Sequence, residues 1–312
     1  MHASFAGRMV PRLWWALLIT VSIFASDEPA ESKNAIFSER NAQYEIVAQD
    51  RRSAQFVHEL SESVAGTAAR MLGERGAVYP TRILVTLQEL PPEDQPLVRL
   101  TVAERGSVRV DFRWSNAVDL ELTTQALAHA YLLRYAYSIG GDEAAARLPE
   151  WAVSAIGQHA YLLLRPAMQI AWMEAVAESG LSDLTTVLTR PMPSEYSRGA
   201  GIAGYWFWNQ VRKYQTANLM RPYLQACLLR GPQLESIEQL YAQNGPEATT
   251  MAPDEWWQLV IETIASTDVN RYESLASSQE WIGLLSEFKG LTLSNGAEMK
   301  NLKDLWMNRK EV

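Results

Sequence analysis

The chain has 312 residues, of which 47% are hydrophobic and 21% are charged, and this balance excludes a disordered protein. Its formal net charge of −8 argues against nucleic acid as a partner, because binding to phosphates requires basic patches. The length allows a sizeable core, in one large domain or two small ones.

The first 25 residues have the pattern of a secretory signal peptide. Arg8 and Arg12 supply the positive region, an apolar run of 13 residues follows, and Ala25 is a small residue at the cleavage position. That run is shorter than the roughly 20 apolar residues of a membrane-spanning helix, which favours cleavage over an anchor. We therefore predict an exported protein, periplasmic or extracellular, that begins near Ser26 and has no stable membrane span.

The next part of the chain combines one helix with several strands. Residues 26–42 are polar and acidic, which predicts a loose lead-in. Apolar residues at helical intervals predict a helix that ends before Gly73, and alternating residues predict strands on both sides of it. The predicted elements are a strand at 44–48, a helix at 51–72, and strands at 81–87, 97–102 and 108–114, the last two joined by a hairpin turn at 104–106.

Two apolar helices come next. The first is predicted to start after the N-cap residues Ser115 and Asn116 and to end near Ser138, and the second to run from Pro149 to just before Pro166. Helices that are apolar on most of their circumference are buried, so both should lie in the middle of the fold. The rest of the chain is predicted to be helical, at 167–178, 182–189, 201–214, 217–229, 233–243, 254–265, 275–288 and 299–308.

This helix pair resembles the core of the gluzincin zinc peptidases, in the group called peptidase MA-like. In that family the first helix contains a small residue followed by the motif H-E-x-x-H, and the second helix begins with a proline and a tryptophan. Ala128 and His129 match the first motif, and Pro149 and Trp151 match the second. A helix, a strand and a hairpin ahead of the histidine-bearing helix is also the order that this family shows.

The resemblance covers about residues 40–265 and implies an architecture. We expect a mostly helical α+β fold in which a small N-terminal helix-and-sheet unit (43–120) packs on a larger helical body (121–265). Residues 266–312 would form a C-terminal helical extension. The single cysteine, Cys227, lies in an apolar helical stretch and is predicted to be a small core residue.

The zinc chemistry of this family is not retained. Its general-base glutamate falls on Ala130, its second zinc histidine on Leu133 and its distal zinc glutamate on Ser154. The motif works because positions i and i+4 of a helix face the same way, and a catalytic zinc needs three protein ligands. His129 alone remains, so the resemblance implies no metal, no cofactor and no catalytic residue.

The function predicted on this basis is that of a pseudo-peptidase, which keeps the cleft as a binding or scaffolding surface for a protein or peptide of the cell envelope. The residues expected to border that cleft are Glu150, Trp151 and His159. One alternative is an active hydrolase or metallopeptidase with a rearranged site that uses His129 and His159. Another is a helical interaction domain unrelated to peptidases. Neither the partner nor the oligomeric state follows from the sequence.

Overall fold

The computed structural model describes residues 36–73, 79–89, 98–103, 106–114, 119–193, 201–213, 217–231 and 252–266. In these ranges the protein has an α+β fold that is mostly helical, with five strands and eight helices. The predictions for residues 1–35, for the helices at 233–243, 275–288 and 299–308, and for the C-terminal extension from 267 onward lie outside the described residues.

The five strands form one mixed sheet with the order β1-β2-β3-β5-β4. The central pairs, β2 with β3 and β3 with β5, are parallel, whereas both edge strands are antiparallel to their neighbours. The strands are β1 (Phe37–Arg40), β2 (Tyr44–Ala48), β3 (Ile83–Glu89), β4 (Val98–Ala103) and β5 (Ser107–Trp114).

The predicted hairpin is confirmed, since β4 pairs with β5 and Ala103 lies opposite Ser107. Gly106, at the start of β5, has a φ of 73°, which favours glycine. A Cβ atom at this position would lie 2.4 Å from Cδ1 of Tyr137. The end of the hairpin is therefore packed directly on the helix that contains Tyr137.

The prediction of a loose lead-in over residues 26–42 is wrong for its last part, because Phe37–Arg40 forms β1. This strand pairs with β2, and the Arg40 guanidinium lies 2.6 Å from the Glu45 carboxylate. Four residues are too few for a periodic pattern, and the strand is stabilised by its neighbour. Local sequence could not reveal it.

The first helix agrees with its prediction residue for residue. Asp50 caps its N-terminus by accepting a 2.7 Å hydrogen bond from the Ser53 N–H, and Gly73 ends it in the left-handed conformation. The helices are α1 (Arg51–Leu72), α2 (Leu120–Ala146), α3 (Glu150–Leu164), α4 (Met168–Ser179), α5 (Leu184–Thr189), α6 (Ile202–Lys213), α7 (Ala217–Arg230) and α8 (Pro253–Ala265).

The predicted start of α2 differs from the structure, whereas its predicted end near Ser138 lies next to a kink at the glycine pair 140–141. Its N-cap is Asp119, whose carboxylate accepts the Leu122 N–H at 3.1 Å, whereas the predicted caps Ser115 and Asn116 lie outside the described residues. Beyond Ser138 the helix continues to Ala146, interrupted by non-helical dihedral angles at the glycine pair 140–141. Glycine allows this kink because it adopts conformations that other residues avoid.

The sheet packs on helices through its inward-facing strand residues. Tyr44, Ile46 and Val85 are fully buried, and the Tyr44 hydroxyl donates to the Leu127 carbonyl of α2 at 3.0 Å. Helices α1 and α2 both contact the sheet, while α3 and α6 continue the core away from it. The described residues therefore form a mixed α+β fold that is mostly helical, in which the sheet and the helices share buried contacts.

Aromatic side chains form much of the core of the helical body. The ring of Phe207 lies 5.6 Å from that of Trp151 and 6.5 Å from that of Trp257, measured between centroids. Trp257 also donates its indole N–H to the Ser182 carbonyl at 2.9 Å, and Cys227 is buried in this core as predicted. None of the helices in the described part of the chain is both long and apolar enough to cross a bilayer.

Candidate functional site

The candidate site lies where α2 and α3 pack against each other. A Cβ atom on Gly157 would lie 2.8 Å from the Cα of Gln125, so the two backbones approach as closely as only glycine allows. One turn closer to the start of α2, the buried Glu121 carboxylate accepts a 2.7 Å hydrogen bond from the Gln158 amide. These two contacts define an antiparallel register.

This register brings two of the positions singled out in the sequence to a similar level. His129 lies four residues beyond Gln125 in α2, which is about 6 Å along the helix axis. Ser154 lies three residues before Gly157 in α3, about 4.5 Å in the same direction. The side chain of Ser154 is buried, as are those of Ala130 and Leu133, whereas His129 is partly exposed.

The position of Ser154 is closed by the start of α6. Gly201 has a φ of 78°, and a Cβ atom on it would lie 1.8 Å from Ser154 Oγ and 2.3 Å from Ser154 Cβ. Three residues later, a Cβ on Gly204 would lie 2.7 Å from the Trp151 Cα. Two glycines thus allow α6 to lie directly on the face of α3 that carries Trp151 and Ser154.

The His129 imidazole is neutral at physiological pH. The surrounding protein desolvates the ring and thereby lowers the pKa of His129 to about 4. One part of the residue still reaches the surface. A neutral imidazole keeps a lone pair for a metal or a proton. His129 therefore has the right protonation state for a ligand but lacks the remaining members of a zinc site.

His159 contacts α6. Its ring packs edge-to-face on Trp208 of α6, with 5.0 Å between the centroids. Along the antiparallel pair, His159 lies about 9 Å from the level of His129, because it is two residues beyond Gly157 in the opposite direction. The use of both imidazoles in one site stays a prediction.

Glu150 and Trp151 do not border an open cleft either, because both are buried. The Glu150 carboxylate lies 3.4 Å from Arg190 Nε, and the Glu150 N–H donates to the Arg190 carbonyl at 3.1 Å. Burial raises the pKa of Glu150, and the Arg190 guanidinium counteracts that increase. Trp151 packs against Phe207 and Tyr223, so it is a core residue.

The residues at the degenerate positions do not fit a catalytic zinc. Ala130 and Leu133 have no ligand atom, and a serine hydroxyl is not among the usual zinc ligands. Among the described residues, no three histidine, cysteine, aspartate or glutamate side chains come together in a way that could hold a metal.

Arg134 is a residue that the sequence analysis missed. Its buried guanidinium donates to the carbonyls of Gln43, at 3.1 Å, and Thr81, at 3.0 Å, and also to the Gln43 side chain. It stacks on Tyr79, 4.1 Å from the ring centroid, and its pKa is lowered by desolvation. The sequence feature that could have revealed this role is an arginine within the apolar run 130–136 of α2.

Arg134 fixes the position of α2 relative to the sheet. The Gln43 carbonyl immediately precedes β2, and the Thr81 carbonyl lies just before β3. These two strands are parallel and lie beside the helix. A charged donor that satisfies several acceptors at once holds both strands and the helix in one arrangement.

Comparisons with protein-family models, with curated proteins and with solved structures find no match to this chain.

Proposed function

We propose that the protein is a non-catalytic relative of gluzincin peptidases, which uses the peptidase-like framework to bind or scaffold a protein or peptide in the cell envelope. Export to the periplasm or the extracellular space is part of this proposal. It rests on the N-terminal signal pattern in the sequence.

The observation that carries the proposal is the contact between Gly201 and Ser154. In an active relative, the position of Ser154 would hold a carboxylate that reaches a zinc ion beside His129. Here the start of α6 lies so close that even a methyl group on Gly201 would overlap the serine hydroxyl. A glutamate at 154 would extend beyond a serine hydroxyl that already lies against the backbone of Gly201.

Two further features support the relationship to peptidases. The order of α1, β3, the β4–β5 hairpin and α2 agrees with the order that the resemblance implies. The register of α2 and α3 puts Ser154 within about 2 Å of the level of His129, as a shared metal site would require.

The loss of metal chemistry is tested on the exported protein. We expect elemental analysis to find no stoichiometric zinc, and peptide substrates to remain uncut when zinc is added. About one zinc per chain that disappears in His129→Ala would overturn the proposal. His58→Ala is the matched control, because His58 lies on a different helix, α1, where its Nε2 is 3.8 Å from the Glu62 carboxylate.

The relationship to peptidases is tested by rebuilding a site that needs no displacement of α6. Leu133→His restores the i, i+4 pair with His129, and Ser154→Cys adds a thiolate in a side chain close to serine in size. We expect the double variant to bind cobalt at least about tenfold more tightly than Leu133→His combined with Ser154→Ala. A cobalt–thiolate absorption band should accompany binding.

If the two variants have equal affinity and no such band, α2 and α3 do not converge at these positions. The peptidase-like framework would then be rejected, and the unrelated helical domain favoured.

The binding function is tested with a displayed peptide library. A selected peptide should lose affinity for His129→Trp, which fills the surface beside the partly exposed imidazole. The same peptide should keep its affinity for Leu259→Ala on α8, where an exposed leucine is removed. Peptides that bind both variants equally, or no selectable peptide at all, would contradict a binding role for this surface.

A further inference from the structure

The corner between α3 and α4 exposes a group of apolar side chains. Leu163 is 56% exposed and Leu164 is 39% exposed, whereas the nearby Leu162 is buried. Ala167 is also exposed, and Met168 and Ile170 at the start of α4 are partly exposed. Exposed apolar side chains that form a contiguous patch, unlike single scattered ones, indicate a site of contact with another molecule or a membrane.

The charge around this corner differs from that of the whole chain. From Trp151 to Met173, the chain has no lysine, aspartate or glutamate, and its one arginine is Arg165. The whole chain, in contrast, carries a net charge of −8. Arg165 is exposed and directly follows the two leucines. The corner therefore combines an apolar surface with one positive charge and no acidic residue.

We propose that this corner, consisting of Leu163, Leu164 and Arg165, inserts into the surface of a phospholipid bilayer. The leucines would enter the boundary between headgroups and acyl chains, and the guanidinium would pair with lipid phosphate. This inference goes beyond the proposed function and does not depend on it.

A bilayer fits the corner better than a protein does. A stable protein interface involves about 20–30 residues on each side, far more than a vertex where two helices end within a few residues of each other. Interfacial binding, in contrast, increases with each apolar group that leaves water. The corner lies about 15 Å along α3 from Ser154, so membrane contact would leave the candidate site free.

The test is co-sedimentation of the exported, processed protein with vesicles that contain phosphatidylethanolamine and phosphatidylglycerol. The double variant Leu163→Glu, Leu164→Glu should bind at least about tenfold more weakly than the wild type. Leu229→Glu and Leu259→Glu are matched controls, because these leucines are 50% and 49% exposed on other helices. Both controls should bind like the wild type.

Arg165→Gln provides a second readout. It should weaken binding to vesicles with phosphatidylglycerol more than binding to pure phosphatidylcholine vesicles, because the anionic surface attracts each cation. Absence of vesicle binding by the wild type, or equal loss in the control variants, would overturn the proposal. A dimer in the wild type that becomes a monomer in the double glutamate variant would also overturn it, because a second copy of the chain would then cover the corner.

Discussion

The contact of Gly201 with Ser154 predicts a large destabilisation by a single methyl group. Gly201→Ala places a side chain in a backbone conformation with φ of 78°, which costs about 1–2 kcal/mol for a non-glycine residue. The added Cβ also meets Ser154 Oγ at 1.8 Å, and overpacking of this kind costs about 1–3 kcal/mol. The expected loss of unfolding free energy is the sum, roughly 2–5 kcal/mol.

Two further variants separate the strain from the overlap. Gly73 also has a positive φ, 65°, but a Cβ there meets nothing within 4 Å, so Gly73→Ala should lose the strain contribution only. Combining Gly201→Ala with Ser154→Gly removes both overlapping atoms and leaves the Ser154 Cα at 3.6 Å, an ordinary contact. The pair should therefore show a favourable coupling of about 1–3 kcal/mol in a double-mutant cycle.

The assay is urea unfolding followed by intrinsic tryptophan fluorescence. If Gly201→Ala costs no more than Gly73→Ala, and its effect is additive with that of Ser154→Gly, then α6 does not lie on Ser154. The steric argument for a closed site, and with it the main support for the proposed function, would be refuted.

Three other predictions concern pH, a buried cation and processing. The pKa of His129 is about 4 in the folded protein and near 6.5 when unfolded, so its contribution to stability is present above pH 6.5 and is lost as the pH falls toward 4. The loss is at most about 3 kcal/mol, and His129→Gln should make unfolding by urea correspondingly less sensitive to pH between 6.5 and 4. Arg134→Met removes the side-chain donor of the Gln43 and Thr81 carbonyls, of which the Gln43 carbonyl still accepts the Ile83 N–H at 2.9 Å, and should cost roughly 1–3 kcal/mol. Arg165→Met at the surface should be nearly neutral, and urea unfolding of both variants checks this. N-terminal sequencing of the exported protein should begin near Ser26, and a sequence that retains Arg8 and Arg12 would refute cleavage.

Several elements could be predicted because their signals are local. The apolar residues of α1 recur at helical intervals. Gly73 ends the helix because it adopts the left-handed conformation, which depends on the residue type and not on distant contacts. The same holds for β5, where Val108, Val110 and Phe112 alternate with exposed or partly exposed neighbours. Trp206 and Trp208 of α6 are buried, as aromatic residues within helical patterns commonly are.

The site depended on contacts that no local pattern contains. Arg134 binds carbonyls 91 and 53 residues away in the chain, and its role appears only when β2 and β3 lie beside α2. His159 turns to Trp208 because α6 packs on α3, although its position in α3 alone allowed it to face His129. Helical spacing defines which face a residue lies on, but not which neighbour covers that face.

The sequence by itself determined that Ala130, Leu133 and Ser154 cannot supply the zinc chemistry, since ligand atoms belong to residue types and not to the fold. Only the tertiary structure decided that the position of Ser154 is closed, through a glycine 47 residues later in the chain. Gly201 is a small residue with no pattern around it that marks a contact. Its importance comes from the close approach of two backbones, and such an approach exists only when the chain is folded.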